Sequence, residues 1–393
     1  MNRRHFLSAS AAAGAVASVG HAQQSSKTWR VGVIGHTGRG SYGHGLDTVW
    51  LNMPETQIVA VADADPAGLE KEKKKLKVDA GFADYRKMLI EAKPDLVAVC
   101  PRHADQHHAM TLAAIDAGAN GIYVEKPFVR TPAEADELIA ACSKTGAKIA
   151  VAHRNRYHPG LAAIDEIIAD GKIGKVLEIR GRGKGDRRGG GEDLWVLGSH
   201  TLNLVHYFGG KPISCTGVMK KDGKLVTKDD IFEGAEGLGK LAGNQLHARY
   251  ELESGLTAYF DTIANDGTKG EGFGLIIVGS EGMINIQCDR KPVAHLIPGN
   301  PFQPVAKPQP IPITSGGAGV EEPDPDTIAN VHNHVVACRD LIEAIEQDRE
   351  PLCSVHEGAL TVEMICAVLE SHRQAGAAVS FPLGQRQNAL DLM

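Results

Sequence analysis

The sequence predicts a doubly wound α/β domain followed by an α+β domain built on a large, mainly antiparallel sheet. Three observations predict this architecture. Between residues 29 and 153, short apolar runs alternate with helical segments, which is typical of a parallel sheet with helices on both faces. From about residue 175, the apolar runs become longer and alternate with polar residues, as antiparallel strands do. The length of 393 residues also favours two domains, 29–153 and 154–393, over one.

The first strand of the α/β domain ends in a glycine-rich turn. The run Trp29–Gly35 (WRVGVIG) is followed by HTGRGSYG and then, we expect, by a helix, and the second strand, Gln57–Ala62, ends in Asp63. This is the dinucleotide-binding arrangement of the Rossmann fold, in which glycines let the backbone approach the pyrophosphate and the acid accepts from the ribose. The candidate cofactor-binding residues of the turn are Gly35, Thr37, Gly38, Arg39 and Gly40.

Asp63 predicts NAD rather than NADP as the cofactor, because its carboxylate would repel the 2'-phosphate of NADP. The fingerprint is imperfect. In the G-x-G-x-x-G frame that begins at Gly35, Thr37 takes the place of the middle glycine, and Asp63 stands further along the chain than the roughly 20 residues of the fingerprint. The turn alone is therefore weak evidence for a nucleotide site.

Further strands and helices continue the α/β pattern. A helix from about Asp105 to Ala117 ends at Gly118, a favourable helix cap, and Thr131–Glu134 opens the next helix with a capping box and a proline. The strands are Asp95–Pro101, Gly121–Val124 and Lys148–Ala152. Ligands bind at the carboxyl ends of such strands, and Glu125-Lys126-Pro127 (EKP) stands at one of these ends.

Several motifs together resemble the glucose-fructose oxidoreductase, inositol dehydrogenase and rhizopine-catabolism family (Gfo/Idh/MocA). The resemblance rests on the glycine turn after VGVIG, on CPRHADQH with the helix AMTLAAIDAG, on EKP, on HRNRYHP and on the tail from Ala344 to His372. It implies an enzyme with bound NAD that oxidises a CH–OH group of a sugar or polyol. It also implies cofactor contacts from Cys100, Pro101, His107 and Glu125.

In this family the lysine of EKP lies beside the nicotinamide and the substrate hydroxyl, which implies a catalytic role for Lys126. The physics agrees: an ammonium stabilises a developing alkoxide, and a desolvated lysine can have its pKa lowered enough for proton transfer. The structural alternative is a surface salt bridge between Lys126 and Glu125.

The resemblance implies a catalytic histidine at His200, within a family pattern D-x-G-x-H-x-x-D. Gly198 and His200 match this pattern, but Val196 and Asn203 replace both acids. Because the usual supporting acid is missing, Asp193 is the candidate to replace it. An unperturbed histidine pKa near 6.5 suits proton exchange, and a structural helix histidine is the alternative.

Candidate substrate-binding residues lie near these catalytic candidates. Arg156 and Tyr157 match family positions near the substrate, and Trp195 and Asn203 flank His200. A basic, glycine-separated loop could also recognise a carboxylate or phosphate on the substrate, or could be an ordinary solvated loop. Its cations are Arg182, Lys184, Arg187 and Arg188.

Three further expectations concern the second domain: its pairing with other subunits, its packing on the first domain and its proline-rich stretch. In the family, one face of its sheet often pairs subunits, which implies a homo-oligomer. The helix from Glu357 to His372 is expected to pack back on the first domain. The proline-rich stretch from Pro298 to Pro325 predicts a long irregular loop.

Charge and composition restrict the partners. The net charge is -6, and no lysine-arginine stripe alternates with aromatics, so nucleic acid is an unexpected partner. No run approaches the roughly 18 apolar residues of a membrane span. The histidines lack H-E-x-x-H spacing with a third ligand, so no metal site is predicted. The seven cysteines show no C-x-x-C pair and predict buried small hydrophobes rather than a disulfide framework.

The N-terminus predicts export. Met1–Leu7 is a twin-arginine start, Ser8–Gly20 is a weakly apolar run, and small residues precede a cleavage position after Ala22. This pattern predicts a periplasmic protein that acquires its cofactor in the cytoplasm. An exported enzyme has no ready supply of free NAD, so we expect the cofactor to be tightly held.

These observations lead to three functional hypotheses. The first is an NAD-dependent oxidoreductase that acts on a hydroxyl of a sugar, polyol or sugar derivative. The second is a redox-neutral epimerase or glycoside lyase or hydrolase that acts through a transient keto-sugar and leaves no reduced cofactor. The third is a non-enzymatic sugar- or nucleotide-binding protein, which the missing acids at positions 196 and 203 favour and the retained Lys126 and His200 oppose.

Overall fold

The computed structural model describes residues 27–303 and 309–393. The predicted twin-arginine segment, Met1–Ala22, lies outside these residues. Within the described parts of the chain, no helix combines the length and apolarity that crossing a bilayer requires. The seven cysteines are buried free thiols.

The first domain contains the predicted parallel sheet, whose strand order is β3-β2-β1-β4-β5-β6. Parallel pairing joins every neighbouring pair. The strands are β1 (Trp29–Ile34), β2 (Thr56–Ala62), β3 (Gly81–Phe82), β4 (Leu96–Val99), β5 (Gly121–Val124) and β6 (Lys148–Val151). The helices of this part are α1 (Pro66–Leu76), α2 (Tyr85–Ala92), α3 (His107–Asp116) and α4 (Pro132–Thr145).

The helix expected between β1 and β2 is absent from this described part of the chain, and that prediction was wrong. Turns follow β1, and only a short 3-10 helix, Val49–Asn52, precedes β2. The physical reason is a series of residues with positive φ, whereas an α-helix needs φ near -63°. The residues with positive φ are Gly38, Gly40, Ser41, Gly43 and Gly45.

The second domain contains a large mixed sheet, which has eleven strands within the described residues. Its order is β18-β17-β16-β15-β14-β7-β13-β12-β8-β19, with β9 on β8. Only β7 and β13 pair in parallel, so the predicted mainly antiparallel sheet is confirmed. The strands are β7 (Val176–Arg182), β8 (Pro212–Lys221), β9 (Lys224–Leu225), β10 (Ile231–Glu233), β11 (Lys240–Ala242), β12 (Gln245–Leu252), β13 (Thr257–Ile263), β14 (Gly274–Gly279), β15 (Gly282–Gln287), β16 (Ala294–Pro298), β17 (Ile311–Thr314), β18 (Gly317–Ala318) and β19 (Val379–Ser380). Strands β10 and β11 form a separate pair.

The proline-rich stretch is more regular than predicted. It contains β17, whose Ile313 pairs with Ala294 of β16 and is fully buried. Pro312 lies opposite His295, and its missing N–H is tolerated near the edge of the sheet. Two alternating isoleucines therefore form a strand where the prolines indicated an irregular loop.

Helices cover one face of the second sheet and join it to the first domain. They are α5 (Gly160–Ala169), α6 (Gly191–Val196), α7 (Gly198–Gly209), α8 (Pro325–His332), α9 (Val335–Glu346) and α10 (Val355–Arg373). Helix α10 packs on β8 and α7, and also on α4 and β6 of the first domain. A Cβ at Gly358 would lie 2.7 Å from Val151 and 3.0 Å from Phe128, so α10 lies directly on the first domain. This contact fixes the two domains around the site between them.

Candidate active site

A cavity of about 230 Å³ lies between the two domains, at the carboxyl ends of β5 and β6. Its walls come from Glu125 and Lys126 after β5, from Ala152 and Arg154 after β6, and from Val196, Leu197 and His200 where α6 meets α7. The motif at the end of β5 and the helix that carries His200 therefore lie at one site.

Lys126 lines this cavity. The residue is only 8% exposed, and its Nζ donates a hydrogen bond to the carbonyl oxygen of Val196 at 3.3 Å. Burial lowers the pKa of Lys126 below its ordinary value, although nearby carboxylates oppose the shift. The peptide bond between Lys126 and Pro127 is cis. Lys126 is therefore a desolvated amine within a cavity rather than one half of a surface salt bridge.

Glu125 is buried beside Lys126 and is held by the glycine turn. Its Oε2 accepts from Nδ1 of His44 at 3.0 Å, and its Oε1 accepts from the backbone N–H of Lys126 at 3.0 Å. Burial alone would raise its pKa, but the His44 hydrogen bond and the positive Lys126 lower it to about 2. A Cβ at Gly43 would lie 2.5 Å from Glu125 and 2.7 Å from the Cys100 carbonyl, so the turn packs directly on both strand ends.

His200 and His153 meet edge to face at the side of the cavity, with ring centroids 5.2 Å apart. Nδ1 of each ring has no hydrogen-bond partner among the described residues. Burial lowers the pKa of His200 well below its ordinary value and that of His153 to about 3. Both rings are therefore neutral near pH 7, and His200 can exchange a hydrogen bond with a ligand.

The structure does not place Asp193 in support of His200, and that prediction is corrected. Asp193 is fully buried on α6, and its Oδ2 accepts a hydrogen bond from the hydroxyl of Thr262. Gly183 packs on the same oxygen, because a Cβ there would lie 2.0 Å from it. Asp193 therefore anchors the start of the basic loop to β13.

Three of the four predicted substrate-binding residues lie near the contact of α7 with α10, and the fourth, Trp195, lies on α6. Arg156 donates to the Asn203 carbonyl at 3.0 Å and forms an ion pair with Glu357. The Tyr157 hydroxyl accepts from the backbone of Cys353 at 3.2 Å. Asn203 donates to the Thr361 hydroxyl at 3.1 Å, and Trp195 is fully buried. None of Arg156, Tyr157, Trp195 and Asn203 lines this cavity, since residues 154–157 form a 3-10 turn that presents Arg154 instead.

Asp63 is turned inward at the end of β2. Its carboxylate is 1% exposed and accepts hydrogen bonds from the Thr37 backbone at 3.0 Å, the Thr37 hydroxyl at 2.6 Å, the Tyr42 hydroxyl at 2.8 Å and the Asp65 backbone at 3.0 Å. Burial raises its pKa, but these hydrogen bonds outweigh burial and lower it. In this arrangement Asp63 holds the glycine turn and has no oxygen exposed to a ribose.

A second cavity, of about 640 Å³, lies between the glycine turn and α1. Thr37, Ser41, Asp65 and Gly68 are among its lining residues. Asp65 caps α1 by accepting from the Gly68 backbone at 2.6 Å, yet it is only half-buried. It is the acid at the end of β2 that stays accessible from this cavity.

The glycine turn fits the phosphates of a dinucleotide. Gly38 has φ of 84° and faces open space, since no atom lies within 4 Å of a Cβ built there. Gly40, with φ of 86°, touches the next strand connection, where a Cβ would lie 2.3 Å from the Arg102 backbone. Arg39 forms an ion pair with Asp105. Backbone N–H groups in such a glycine turn can cradle an anion without a helix N-terminus.

Gly35, Cys100 and His107, which were also predicted to contact the cofactor, pack behind the glycine turn and the EKP segment. Gly35 packs under the Tyr42 ring, and Cys100 is fully buried. His107 is also fully buried; its ring nitrogens lie 2.8 Å from the Pro127 carbonyl oxygen and 2.6 Å from that of Pro101. His107 therefore ties the end of β4 to the EKP segment.

Several cavity residues carried no sequence signal strong enough to select them. His44 lies within the glycine turn, and Arg154 follows β6, where the rule of strand ends could have indicated it. Asp289, Glu236 and His334 come from distant segments that only the fold brings together. Among the described residues, no group of three or more His, Cys, Asp and Glu side chains could hold a metal ion.

Sequence comparison identifies relatives over nearly the whole described chain. A family model described as oxidoreductase family, NAD-binding Rossmann fold, matches residues 29–153, and its C-terminal alpha/beta domain model matches residues 165–380. The D-apiose dehydrogenase of Paraburkholderia graminis is 23% identical over 338 residues, 83% of each chain. The D-glucoside 3-dehydrogenase of Escherichia coli is 28% identical over 171 residues, which cover 40% of this chain and 48% of that relative.

Solved structures share the fold. Levoglucosan dehydrogenase in complex with NADH and L-sorbose superposes with a TM-score of 0.71 at 18% identity, covering 91% of this chain and all of the other. The aldose-aldose oxidoreductase of Caulobacter crescentus superposes with a TM-score of 0.66 at 19% identity, covering 90% of this chain. With both domain models matched in order, the chain belongs to the Gfo/Idh/MocA oxidoreductase family, whose first domain binds NAD.

Proposed function

We propose that this protein oxidises a hydroxyl group of a sugar or sugar derivative with NAD. One observation carries the proposal: the amine of Lys126, whose pKa is lowered by burial, and the neutral ring of His200 face the same cavity between the domains. The names of relatives support the substrate class, since D-apiose, D-glucoside and levoglucosan dehydrogenases act on sugars.

The chain's own residues can manage the proton of the reaction. Bound NAD supplies the hydride acceptor. Lys126 in its neutral form accepts the hydroxyl proton, and its positive form then stabilises the oxygen that has lost this proton. Because its pKa is lowered well below the ordinary value, the His200 ring is too weak a base to be the main acceptor of the hydroxyl proton. It positions the hydroxyl through a hydrogen bond instead. Val196 offers a carbonyl that keeps the Lys126 amine in place.

The fit to NAD rests on the glycine turn and on the acids beside it. Gly38 leaves room for a phosphate, and Gly40 lets the turn approach the β4 connection. Asp65 can accept from a ribose in the second cavity, while Asp63 holds the turn in shape. Near the first cavity, Glu125 and its partner His44 stand where the turn meets the reacting centre.

The test uses purified protein with NAD and a panel of sugars, sugar acids and glycosides. We expect the absorbance band of reduced nicotinamide to appear with a subset of them. Lys126→Met should lower kcat by about 100-fold to 10,000-fold, the range of a lost acid-base group. Lys87→Met, at an exposed surface lysine, is the matched control and should keep full activity. Equal activity of Lys126→Met and the control would contradict the assignment.

A redox-neutral reaction is the second candidate, because an aldose-aldose oxidoreductase is among the structural relatives and its name describes the oxidation of one sugar with reduction of another. The same assay separates the two reactions. Reduced cofactor that accumulates indicates a dehydrogenase. Altered sugar without accumulated reduced cofactor indicates that the cofactor is recycled within the cycle.

The cell compartment and the assembly are further parts of the proposal. The start Met1–Leu7, with its paired arginines, supports twin-arginine export to the periplasm. The outer face of the second sheet, which includes half-exposed Thr257, Tyr259 and Asp261 of β13, supports a homo-oligomer. Cell fractionation with N-terminal sequencing tests the first, and light scattering of the purified protein tests the second. An uncleaved cytoplasmic protein or a monomer would contradict them.

A further inference from the structure

The basic loop after β7 contributes a charge pattern to the cavity that oxidation of a neutral hydroxyl does not require. The cavity is lined by five cationic side chains and three carboxylates. The cations are Arg102, Lys126, Arg154, Lys184 and Arg188, and the carboxylates are Glu125, Glu236 and Asp289. With Lys126 in its neutral form, the other four cations still exceed the three carboxylates by one, which indicates a ligand that carries negative charge.

Two of these cations, Arg154 and Arg188, already have carboxylate partners. Nε of Arg154 donates to Oδ1 of Asp289 at 3.0 Å. Nε of Arg188 donates to the two carboxylate oxygens of Asp186 at 3.0 Å and 3.2 Å, and its Nη2 binds the same group. The cavity therefore offers less cationic binding capacity than its composition suggests.

Lys184 differs from these arginines. It is half-buried at the cavity wall and forms no ion pair with any described residue. It lowers the pKa of Asp186 through space, but Asp186 is already bonded to Arg188. Lys184 is thus a cation at the site whose donors remain available to a ligand.

The backbone fixes this lysine at the cavity. The carbonyl oxygens of Gly185 and Asp186 accept backbone hydrogen bonds from Asp266 at 3.2 Å and Asn265 at 2.9 Å. Gly183 packs on the buried Asp193. The backbone is therefore anchored both before and after Lys184. This fixes the point on the second domain from which the Lys184 side chain reaches the cavity.

The cofactor phosphates are not the natural partner of Lys184. They are expected at the glycine turn in the first domain, beside Arg102, whose backbone contacts Gly40. The carboxylate of Glu236 lies on that side as well, because its 3-10 turn packs on residues 104–106. The loop of Lys184 comes instead from the second domain, where a substrate would lie.

We propose that the substrate is a sugar acid and that Lys184 binds its carboxylate, assisted by the remaining face of the Arg188 guanidinium. One free ammonium balances the single charge of a carboxylate better than the nearly double charge of a phosphate ester. The inference deepens the proposed function, because it takes from that function only that the ligand is a sugar.

The experiment compares matched ligands, namely glucose with glucuronate and gluconate, galactose with galacturonate, and glucose 6-phosphate. Steady-state kinetics are measured with NAD for the wild type, Lys184→Gln and Arg187→Gln. Arg187 belongs to the same loop but is exposed and does not line the cavity, so its variant matches the charge change. Melting temperatures of both variants confirm that they fold.

We expect at least one acid to exceed its neutral counterpart in kcat/KM by tenfold or more. Lys184→Gln should remove this preference by raising KM for the acid about 10-fold to 100-fold at unchanged kcat, because the contact is the same in ground and transition states. Arg187→Gln should keep the preference. Equal use of acids and neutral sugars, a stronger preference for the phosphate, or a preference that survives Lys184→Gln would overturn the inference.

Binding measurements distinguish failure of the sugar-acid inference from failure of the proposed oxidation. Calorimetry on Lys126→Met with NAD present measures the affinity for each acid and neutral sugar without turnover. Acid-selective binding that depends on Lys184, in a wild type that reduces no NAD, would support the inference and sink the proposed oxidation. Turnover of sugars without acid selectivity in binding would do the reverse.

Discussion

Replacing Asp63 with Asn tests whether this acid holds the glycine turn or binds the cofactor ribose. The variant is nearly isosteric but has no charge, and its amide group must replace one acceptor oxygen. Four donors of Thr37, Tyr42 and Asp65 reach the carboxylate, and the Thr37 backbone N–H is shared between its two oxygens. Hydrogen bonds to charged groups contribute about 1.5–3 kcal/mol each, against about 0.5–1.5 for neutral ones. Because the bonds share one group, we expect a loss of about 2–4 kcal/mol in the free energy of unfolding.

The assay is thermal unfolding of the cofactor-free protein together with NAD and NADP titrations. Tyr42→Phe removes one donor to Asp63 without touching a ribose, so it should lower the melting temperature in the same direction by a smaller amount. Asp79→Asn, at an exposed acid, controls for loss of charge. We expect both turn variants to weaken NAD and NADP binding alike, because both loosen the turn.

The pKa of Asp63 also predicts the direction in which stability changes with pH. The pKa of Asp63 is lowered in the folded protein, so its ionised form stabilises the fold above the unfolded pKa of about 3.9. This contribution is lost as the pH falls below that value and through the folded pKa. Asp63→Asn should therefore flatten the acid limb of the stability curve. Unchanged cofactor-free stability with an altered ratio of NAD to NADP affinity would refute the turn-holding role and restore ribose recognition by Asp63.

Three further perturbations probe the site and the domain contact. The kcat/KM of the wild type should rise with pH through the lowered pKa of Lys126 and then level, and Lys126→Arg should lack this rise, as measured by a pH-rate profile. Val196→Asp should raise the pKa of Lys126, because an opposite charge favours the charged amine, and should shift that profile to higher pH, whereas Val196→Asn should not. Gly358→Ala should lower the melting temperature through a loss of about 1–3 kcal/mol, because its Cβ would lie 2.7 Å from Val151; an unchanged melting temperature would contradict the tight domain contact.

The parts of the fold that could be predicted are those with local signals. Apolar runs of four residues, such as Gly121–Val124, and the capping threonine Thr131 specify strand and helix within a few residues. The predicted reciprocal capping box is only half formed, since the Glu134 carboxylate accepts from the Arg130 backbone rather than from Thr131. Local patterns thus gave the correct element even where a contact differed.

The prediction of a helix after β1 was wrong because it followed the general Rossmann pattern rather than the residues of this turn. The turn contains four glycines with positive φ, and no helix can accommodate such a series. The same pattern predicted that Asp63 binds a ribose. In the structure, Thr37 and Tyr42 of the turn donate hydrogen bonds to its carboxylate instead. The acid at the end of β2 follows the shape of the turn.

Register and distant contacts limited the prediction of the site. Arg156 and Arg154 are two residues apart, and only the 3-10 turn decides that Arg154 reaches the cavity. Asp289 follows β15 and becomes a partner of Arg154 through tertiary packing, which no spacing reveals. Lys126 could be predicted because EKP directly follows a buried strand.

The replacement of an acid by Val196 is consistent with the chemistry assigned to Lys126. Val196 lines the same cavity as the Lys126 amine, and a carboxylate at this position would favour the charged lysine. With valine there, burial outweighs Glu125, Glu236 and Asp289, and the pKa of Lys126 falls. A site without that acid therefore gains a better proton acceptor in the lysine and needs less basicity from His200, whose own pKa is also lowered by burial. The missing acid favours an altered division of roles between Lys126 and His200 rather than a disabled site.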